Sequence, residues 1–235
     1  MKWNTKFNYP KSSRSNEDGM RKYLSGDEKY PSVTSVLSLT KSEEDKASLE
    51  LWKQRVGYKE ANRIKTDASR RGTSLHSYIE DYLRGRVNDS FFESNEQHKN
   101  MAKVIIENGI KGKLEEIYGM EATLINPNDK YAGTADLIGI YKGNETIIDF
   151  KQSNRPKREE WIEDYFYQLC AYIMAHELMY GKIEQGVVLV CTVDLVFQKF
   201  ILSGDRLEIL KKKWLEKVEH FHALQSFGER TKEIS

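Results

Sequence analysis

The most informative part of this sequence consists of GTADLIG at residues 133–139 and IIDFK at residues 147–151. Asp136 and Asp149 lie thirteen positions apart, and the intervening Lys142-Gly143-Asn144 is a strong turn signal. If the two stretches form a hairpin, paired residues have numbers that sum to about 286. The sequence therefore predicts that Asp136 lies across from residues 149 to 151.

The predicted hairpin places charged side chains on an otherwise apolar surface. Because side chains alternate along a strand, Asp149 and Lys151 share one face and Phe150 takes the other. Burying these charges without a compensating ion is costly, and carboxylate oxygens suit Mg²⁺ or Mn²⁺. Lys151 can then stabilise the charge that develops on a phosphate. The alternative is a surface ion pair between Asp149 and Lys151 at a strand end.

A second group of polar residues precedes the hairpin. His76 and Glu80 are four residues apart on a predicted helix and share one face, so they could complete a metal shell. A single histidine is also common as a structural residue. Gly72 lies within the same helix at a cost of about 1 kcal/mol relative to alanine, which predicts a close approach of a strand or ligand.

A polar residue also interrupts an apolar stripe after the hairpin. Gln168 and Tyr172 are four residues apart on a helix whose stripe is otherwise set by Tyr165 and Leu169. This predicts a specific partner for Gln168, and a solvent-facing boundary is the alternative.

Periodicity extends this interpretation along the chain. Helical spacing, turn residues and apolar runs predict helices over 42–55, capped by Ser42, and over 58–83 and 101–117, a polar loop near 88–95, strands over 119–126, 132–141 and 145–151, a helix over 159–178, strands over 186–193 and 195–202, and a helix over 206–224. The run at 186–193 is apolar throughout, which is typical of a strand buried on both faces.

The amino-terminal region has a different composition. Residues 1–30 are polar and show neither helical nor strand periodicity, which predicts an arm that could become ordered only on binding. A short β-branched run follows at 32–37. We expect one domain over 31–235, with a helical part at 42–117 and a catalytic core at 118–225, because 235 residues are enough for one substantial core.

Charge is unevenly distributed, although the formal net charge is only +1. Residues 1–75 hold 16 Lys or Arg against 10 Asp or Glu, and the remainder holds 21 against 26. A basic arm beside a more acidic body suits a protein that grips an anionic ligand and clusters metal-binding carboxylates. Ordinary solvated faces are the alternative.

The remaining composition points to an intracellular soluble protein. Cys170 and Cys191 lie in apolar runs without metal-ligand spacing, which predicts buried thiols. The chain has no apolar run of the roughly 18 residues that a membrane span needs and no signal-peptide core. Bacterial or phage-infected cytoplasm fits better than the mitochondrial matrix, because acidic residues interrupt the first 30 positions.

Four motifs, in order, resemble those of RecB-type exonucleases of the PD-(D/E)XK superfamily. They are RGTSLHSYIE at 71–80, YAGTAD at 131–136, IIDFKQS at 147–153 and QLCAY at 168–172. The resemblance covers about residues 30 to 225 and is greatest to the mitochondrial genome maintenance exonucleases and their phage and bacterial relatives. It implies an α/β fold with a restriction-endonuclease-like core, in which helices flank a central mixed sheet, and an N-terminal helical extension.

The resemblance also implies roles for individual residues. His76, Asp136, Asp149 and the Phe150 carbonyl would hold one or two Mg²⁺ or Mn²⁺ ions, and Lys151 would be the catalytic lysine. Gln168 and Tyr172 match a Gln-X-X-X-Tyr motif near the active site and the DNA backbone. Further residues in or next to the motifs would support the site or contact DNA: Glu80, Gln152, Ser153, Arg70 and Arg71.

Two departures from the family pattern are present. Gln152 stands where a threonine usually follows the catalytic lysine, which leaves the surroundings of Lys151 open. Many RecB relatives hold an iron–sulfur cluster through four cysteines, and this chain has two, so we expect no cluster.

The expected reaction is phosphodiester hydrolysis of single-stranded DNA with free ends, leaving a 5′-phosphate, in replication, recombination or repair. Alternatives are a double-strand exonuclease of phage recombination, a structure-specific flap endonuclease, and a catalytically silent nucleic-acid-binding subunit. The charged cluster argues against the last, because a silent module does not need it. The sequence predicts no membrane contact, and no protein partner can be deduced from it.

Overall fold

The computed structural model describes residues 1–10, 12–17, 19–87 and 96–233. The polar loop predicted near residues 88–95 lies outside these ranges. Within these ranges, nine strands form two sheets: β1 (Lys2–Trp3), β2 (Ser13–Glu17), β3 (Met20–Ser25), β4 (Glu28–Pro31), β5 (Leu114–Asn126), β6 (Tyr131–Tyr141), β7 (Asn144–Ser153), β8 (Gln185–Thr192) and β9 (Phe197–Ser203).

The larger sheet is mixed and has the order β1-β5-β6-β7-β8-β9. Strand β7 runs parallel to β8, and β1 runs parallel to β5, whereas the other neighbours are antiparallel. Every residue of β8 is buried, which confirms the strand covered on both faces. The smaller sheet consists of β2, β3 and β4 and is antiparallel throughout.

Six α-helices are described: α1 (Val33–Leu39), α2 (Glu43–Val56), α3 (Tyr58–Leu83), α4 (Gln97–Ile105), α5 (Glu163–Met179) and α6 (Gly204–Glu233). The side chain of Ser42 accepts a hydrogen bond from the Asp45 amide at the start of α2, which confirms the predicted cap. Helix α3 has the predicted bounds. In the described part of the chain, no helix is both long and apolar enough to cross a bilayer.

Helices cover both faces of the larger sheet. Apolar residues of α3 and α4 form one core with the sheet, which includes Leu75 and Phe150. Residues of α1, α5 and α6 form the other core, which includes Phe166 and Trp214. This arrangement confirms the predicted mixed α/β core with a central mixed sheet between helices.

The hairpin of β6 and β7 has nearly the predicted register. Leu137 pairs with Ile148 and Ile138 with Ile147, so the numbers of paired residues sum to 285. Lys142 and Gly143 form the turn, with φ angles of 50° and 79°. Asp136 thus lies at the level of Asp149, as the sequence predicts.

Residues 1–30 contain strands, although the sequence there shows no strand periodicity and predicts an arm that becomes ordered only on binding. Strands β2, β3 and β4 pair through their backbones, and Tyr23 and Tyr30 bury their rings against Ala132 of β6. The short strands carry few buried side chains, so alternation in the sequence is weak. The β-branched run that follows is helical, because Ser32 caps α1. The division of the chain into an amino-terminal arm and a catalytic domain stays a prediction.

The helix predicted to reach residue 117 ends earlier. Helix α4 continues into one π-helical turn, Ile106–Ile110, and Leu114 already belongs to β5. Gly112 has a φ of 68°, a conformation that favours glycine and ends the helical path. The apolar residues between 101 and 117 therefore belong to two successive elements, the helix with its π-helical turn and strand β5. Both pack into the same core.

Candidate active site

A cavity of about 460 Å³ opens beside the β6–β7 hairpin. Residues of six parts of the fold meet there: the small sheet, α1, α3, β5, the hairpin and α5. The predicted residues that line it are His76, Glu80, Asp136, Asp149, Lys151, Gln168 and Tyr172. Elements distant in sequence thus bring most of the predicted site together.

Asp136 and His76 form the inner part of this cavity. The Asp136 carboxylate accepts a hydrogen bond from the Phe150 amide at 2.8 Å, which ties the two strands together beyond their regular pairing. His76 reaches from α3 with Nδ1 3.4 Å from Asp136 Oδ1 and Nε2 2.8 Å from the Phe150 carbonyl oxygen. Both ring nitrogens therefore face oxygen atoms.

Asp149 and Lys151 lie on one face of β7, as predicted. Lys151 Nζ is 2.5 Å from Asp149 Oδ2 and lies 5.3 Å from the centre of the Tyr165 ring. The Asp149 side chain is only 2% exposed, whereas that of Lys151 is 21% exposed. The pair thus joins a buried carboxylate to a partly exposed lysine in the cavity wall, which differs from the alternative of a surface ion pair.

The charges of the cavity shift one another's pKa values. Burial lowers the pKa of His76, but the Asp136 carboxylate outweighs it and raises that pKa to about 9. Burial raises the pKa of Asp149 to about 6, although Lys151 opposes this shift. Burial acts to raise the pKa of Asp136, but His76, Lys151 and the Phe150 amide together lower it. Burial acts to lower the pKa of Lys151, but Asp149 and Asp136 together raise it. The cavity thus holds groups that are sensitive to any added positive charge.

Glu121 is a member of this cluster that the sequence reasoning missed. Its carboxylate, the Asp136 carboxylate and an imidazole nitrogen of His76 offer ligand atoms within 4.8 Å of one another. Met120 pairs with Leu137 and Ala122 with Ala135, so Glu121 lies opposite Asp136. Its φ of 49° is uncommon for a residue other than glycine. An acidic residue within the apolar run of β5 was the available signal.

These donors fit a divalent cation. The Asp136 and Glu121 carboxylates and the His76 imidazole supply oxygen and nitrogen ligands close together, the Phe150 carbonyl oxygen lies 2.8 Å from His76 Nε2, and the same cavity holds the buried Asp149 carboxylate. Burial and Asp136 raise the pKa of Glu121, so the site gains from a cation that neutralises it. Carboxylate and carbonyl oxygens suit Mg²⁺ and Mn²⁺, whereas the imidazole is a ligand of softer divalent ions.

Gln168 and Tyr172 form a polar pair on α5. Gln168 Nε2 donates to the Tyr172 hydroxyl at 2.8 Å, which is the specific partner that the sequence predicts. A Cβ at Gly133 would lie 2.4 Å from Tyr172 Cε1, so only glycine lets β6 and the ring approach. Burial raises the pKa of Tyr172 well above its usual value, so this hydroxyl keeps its proton.

Gly72 and Glu80 occupy the rim on α3. A Cβ at Gly72 would meet only Gln152 Cγ, 4.0 Å away, so the predicted close approach of a strand is wrong. The approach of a ligand stays a prediction. Glu80 lines the cavity and accepts a hydrogen bond from Arg84 at 2.7 Å, outside the cluster of metal-ligand atoms.

The other predicted contact residues lie outside this cavity. Gln152 accepts from Arg71 Nε at 2.6 Å and donates to the Ala68 carbonyl at 3.2 Å, so it ties β7 to α3. Ser153 is buried, and its hydroxyl donates to the Arg155 carbonyl at 2.7 Å. Arg70 is exposed beside Asn62 and Lys65 on α3, away from the catalytic cavity.

The small sheet supplies basic side chains that the sequence did not single out. Arg14 of β2 and Arg21 of β3 line the same cavity as the acidic cluster. Arg14 lies 4.0 Å from the Glu121 carboxylate, and Arg21 forms no ion pair within the described ranges. Two of the arginines that contribute to the positive charge of residues 1–75 thus lie at the site.

Comparison with known proteins gives matches of low identity. The chain is 25% identical over 208 residues to human mitochondrial genome maintenance exonuclease 1 and 26% identical over 177 residues to the mouse protein. These matches cover 81% and 70% of this chain but only 58% and 50% of the relatives. The chain therefore spans little more than half the length of the relatives it matches.

No model of a protein family matches the chain. One similar solved structure is that of a candidate exonuclease from Eubacterium rectale. It is 10% identical and has a TM-score of 0.46, and the match covers 66% of this chain and 68% of that one. Such a score adds little, so the relationship rests on the sequence matches. They support the relationship to PD-(D/E)XK exonucleases that the four motifs predict.

Proposed function

We propose that this chain is a nuclease that requires Mg²⁺ or Mn²⁺ and hydrolyses single-stranded DNA from a free end. The observation that carries the proposal is the convergence of His76, Asp136, Asp149 and Lys151 in one cavity. The sequence similarity to exonucleases supports the same reaction class. A group of metal-ligand side chains beside a lysine in an ion pair would have no role in a protein that only binds nucleic acid.

We assign His76, Asp136, Asp149, Glu121 and the Phe150 carbonyl to metal binding. When bound, the ion supplies charge that polarises the phosphate and activates water for attack. The protein's own part is to fix these donors: the Phe150 amide holds Asp136, and α3 holds His76 above the hairpin. Neutral His76 is the binding form, so its raised pKa means that metal binding releases a proton.

Lys151 is the residue we assign to the transition state. Its raised pKa keeps the ammonium charged at neutral pH, and its Nζ lies 2.5 Å from a carboxylate of the site. A charged donor held there stabilises the negative charge that develops as the phosphodiester bond breaks. The Gln168–Tyr172 pair adds a fixed hydroxyl and amide on the same wall, suited to the DNA backbone.

The basic side chains of the small sheet support single-stranded rather than double-stranded DNA as the substrate. Arg14 and Arg21 line the same cavity as the metal donors, so both could contact the phosphates of a DNA strand bound there. An unpaired strand can bring its backbone into a cavity of about 460 Å³, and its phosphates give strongly salt-dependent binding. Base pairs would hold a duplex backbone farther from both walls.

The test is digestion of one DNA sequence in four forms: linear single strand, covalently closed single-stranded circle, end-blocked strand and blunt duplex. We expect rapid loss of the linear strand with Mg²⁺ or Mn²⁺, survival of the circle, and no cleavage in excess chelator. Cutting of circles would favour a flap endonuclease, and equal rates on blunt duplex would favour a double-strand exonuclease. Undiminished cleavage in chelator would refute metal dependence.

A further inference from the structure

A second cavity, of about 400 Å³, adjoins the catalytic cavity where α3 meets β7. Arg71 and Gln152 line it, whereas their chain neighbours Gly72 and Lys151 line the catalytic cavity. Consecutive Cα atoms lie about 3.8 Å apart, so the two cavities share a thin wall. At Gly72 this wall consists of backbone alone, because glycine has no side chain.

The chemistry of the second cavity differs from that of the first. Its lining contains three cations, Arg71, Arg155 and Lys157, and no carboxylate. Among the described residues, the side chains of Arg155 and Lys157 take part in no ion pair. Cations without carboxylate partners at the edge of a phosphate-cleaving site are what an anionic chain would require.

An aromatic ring completes this cavity. Trp161 is 62% exposed, and the guanidinium of Arg158 lies 5.1 Å from its ring centre. Arg158 itself is near Glu160, at 3.7 Å, so it is partly neutralised. An indole that remains open to solvent beside unpaired cations matches the combination that binds unpaired bases and their phosphates.

The loop that carries these groups is held in place. Gln198 of β9 accepts from the Lys157 amide at 2.7 Å and donates to the Lys157 carbonyl at 2.8 Å. Arg71 donates to Gln152 and Asn154, which joins the start of the loop to α3. The cations and the indole are thus presented by a loop fixed at both ends, which lowers the entropic cost of binding.

We propose that this second cavity is a binding subsite for single-stranded nucleic acid, in which Trp161 stacks on an unpaired base while Arg155 and Lys157 bind the adjoining phosphates. The proposal rests on the proposed nuclease function, since the subsite would bind the same DNA strand that occupies the catalytic cavity. The subsite holds the strand on the far side of the Gly72 wall and so determines how many nucleotides the protein needs for tight binding.

The test is equilibrium binding of a fluorescent single-stranded oligodeoxynucleotide in chelator, where no cleavage occurs. Trp161→Ala should weaken binding about 10-fold, and Trp161→Phe should keep it within about 3-fold because a ring remains. Trp3→Ala is the matched control: Trp3 is 43% exposed and has the Arg84 guanidinium 5.7 Å from its ring, but it lies outside both cavities. That control should bind like the wild type.

Two further readouts separate stacking from charge. Addition of the oligonucleotide should quench tryptophan fluorescence, and most of the quench should disappear in Trp161→Phe. The double variant Arg155→Ala/Lys157→Ala should reduce the slope of log affinity against log salt by about 1 to 2, as expected for two lost phosphate contacts.

The outcomes distinguish this subsite from the nuclease function. If Trp161→Ala binds like Trp3→Ala and the salt slope is unchanged in the double variant, the subsite is rejected, and wild-type cleavage then still supports the nuclease. If the wild type neither binds nor cuts any single strand, both proposals are rejected. Trp161 is largely exposed, so its variants should keep the wild-type melting temperature.

Discussion

His76 and His176 place the same imidazole in opposite surroundings. His76 contacts Asp136 and the Phe150 carbonyl in the catalytic cavity, and its pKa is raised to about 9. His176 is fully buried, hydrogen-bonded to the Tyr9 hydroxyl at 3.0 Å and the Gly181 carbonyl at 2.9 Å, and burial lowers its pKa. The difference shows that neighbouring carboxylates, and not the residue type, make an imidazole a candidate metal ligand.

The largest loss of activity should come from removing the carboxylates of the catalytic cavity, which distinguish the surroundings of His76 from those of His176. Asp136→Ala or Asp149→Ala should reduce DNA cleavage by more than about 10³-fold, because each removes a metal donor. Circular dichroism should show that both variants remain folded. Cleavage at the wild-type rate by either variant would remove the distinction between the two histidine sites.

The next effect concerns Lys151, which shares the charged cavity. Lys151→Ala should lower turnover roughly 10²- to 10³-fold while DNA affinity changes little, because the role proposed acts on the transition state. Single-turnover cleavage and binding in chelator measure the two quantities separately.

Lys211→Ala is the matched control for that variant. Lys211 on α6 also pairs with a carboxylate, Glu177 at 2.9 Å, and is 13% exposed, but it lies outside the catalytic cavity. We expect full activity from it. A Lys151→Ala variant whose only defect is weaker DNA binding would move Lys151 from catalysis to phosphate contact.

A smaller effect should follow replacement of the two histidines themselves. His76→Ala should weaken metal binding about 10- to 100-fold, and excess Mn²⁺ should partly restore cleavage. His176→Phe should leave cleavage per folded molecule unchanged and cost about 1 to 3 kcal/mol of stability, since Tyr9 and Gly181 lose a buried partner. If His76→Ala cleaves DNA normally, His76 is a structural residue like His176.

The smallest expected effect is a pH dependence of stability at His176. Its pKa in the folded protein lies below 6.5, the value for the unfolded chain, so the unfolded state binds more protons in that window. Its contribution to stability is therefore complete above pH 6.5 and is lost as the pH falls through the folded-state pKa. Chemical denaturation between pH 8 and pH 5 should show a steeper loss in the wild type than in His176→Phe. Equal slopes would contradict a buried neutral imidazole.

The hairpin was predictable because its information is local. Lys142 and Gly143 mark the turn, and counting outward from them brings Asp136 to Asp149 within one position of the observed register. The face shared by Asp149 and Lys151 follows from strand alternation alone. His76 and the Gln168–Tyr172 pair could be proposed from helical spacing, but their distance from the hairpin depends on how α3 and α5 pack.

Glu121 could not be predicted in the same way. Its position opposite Asp136 depends on a β5–β6 register that is interrupted between Ile117 and Gly119, and on its own left-handed backbone. The strands that carry Arg14 and Arg21 were missed because they bury few side chains and are stabilised by pairing across polar sequence. Both features arise from tertiary pairing, which leaves little local periodicity.

The most direct test of the proposed metal site is a count of bound Mn²⁺ by electron paramagnetic resonance during titration of the wild type, Asp136→Asn and His176→Phe. We predict that the wild type and His176→Phe bind Mn²⁺ with equal affinity and that Asp136→Asn loses at least one ion or binds it at least about 10-fold more weakly. Equal Mn²⁺ binding by Asp136→Asn and the wild type would contradict a metal site built on Asp136 and His76.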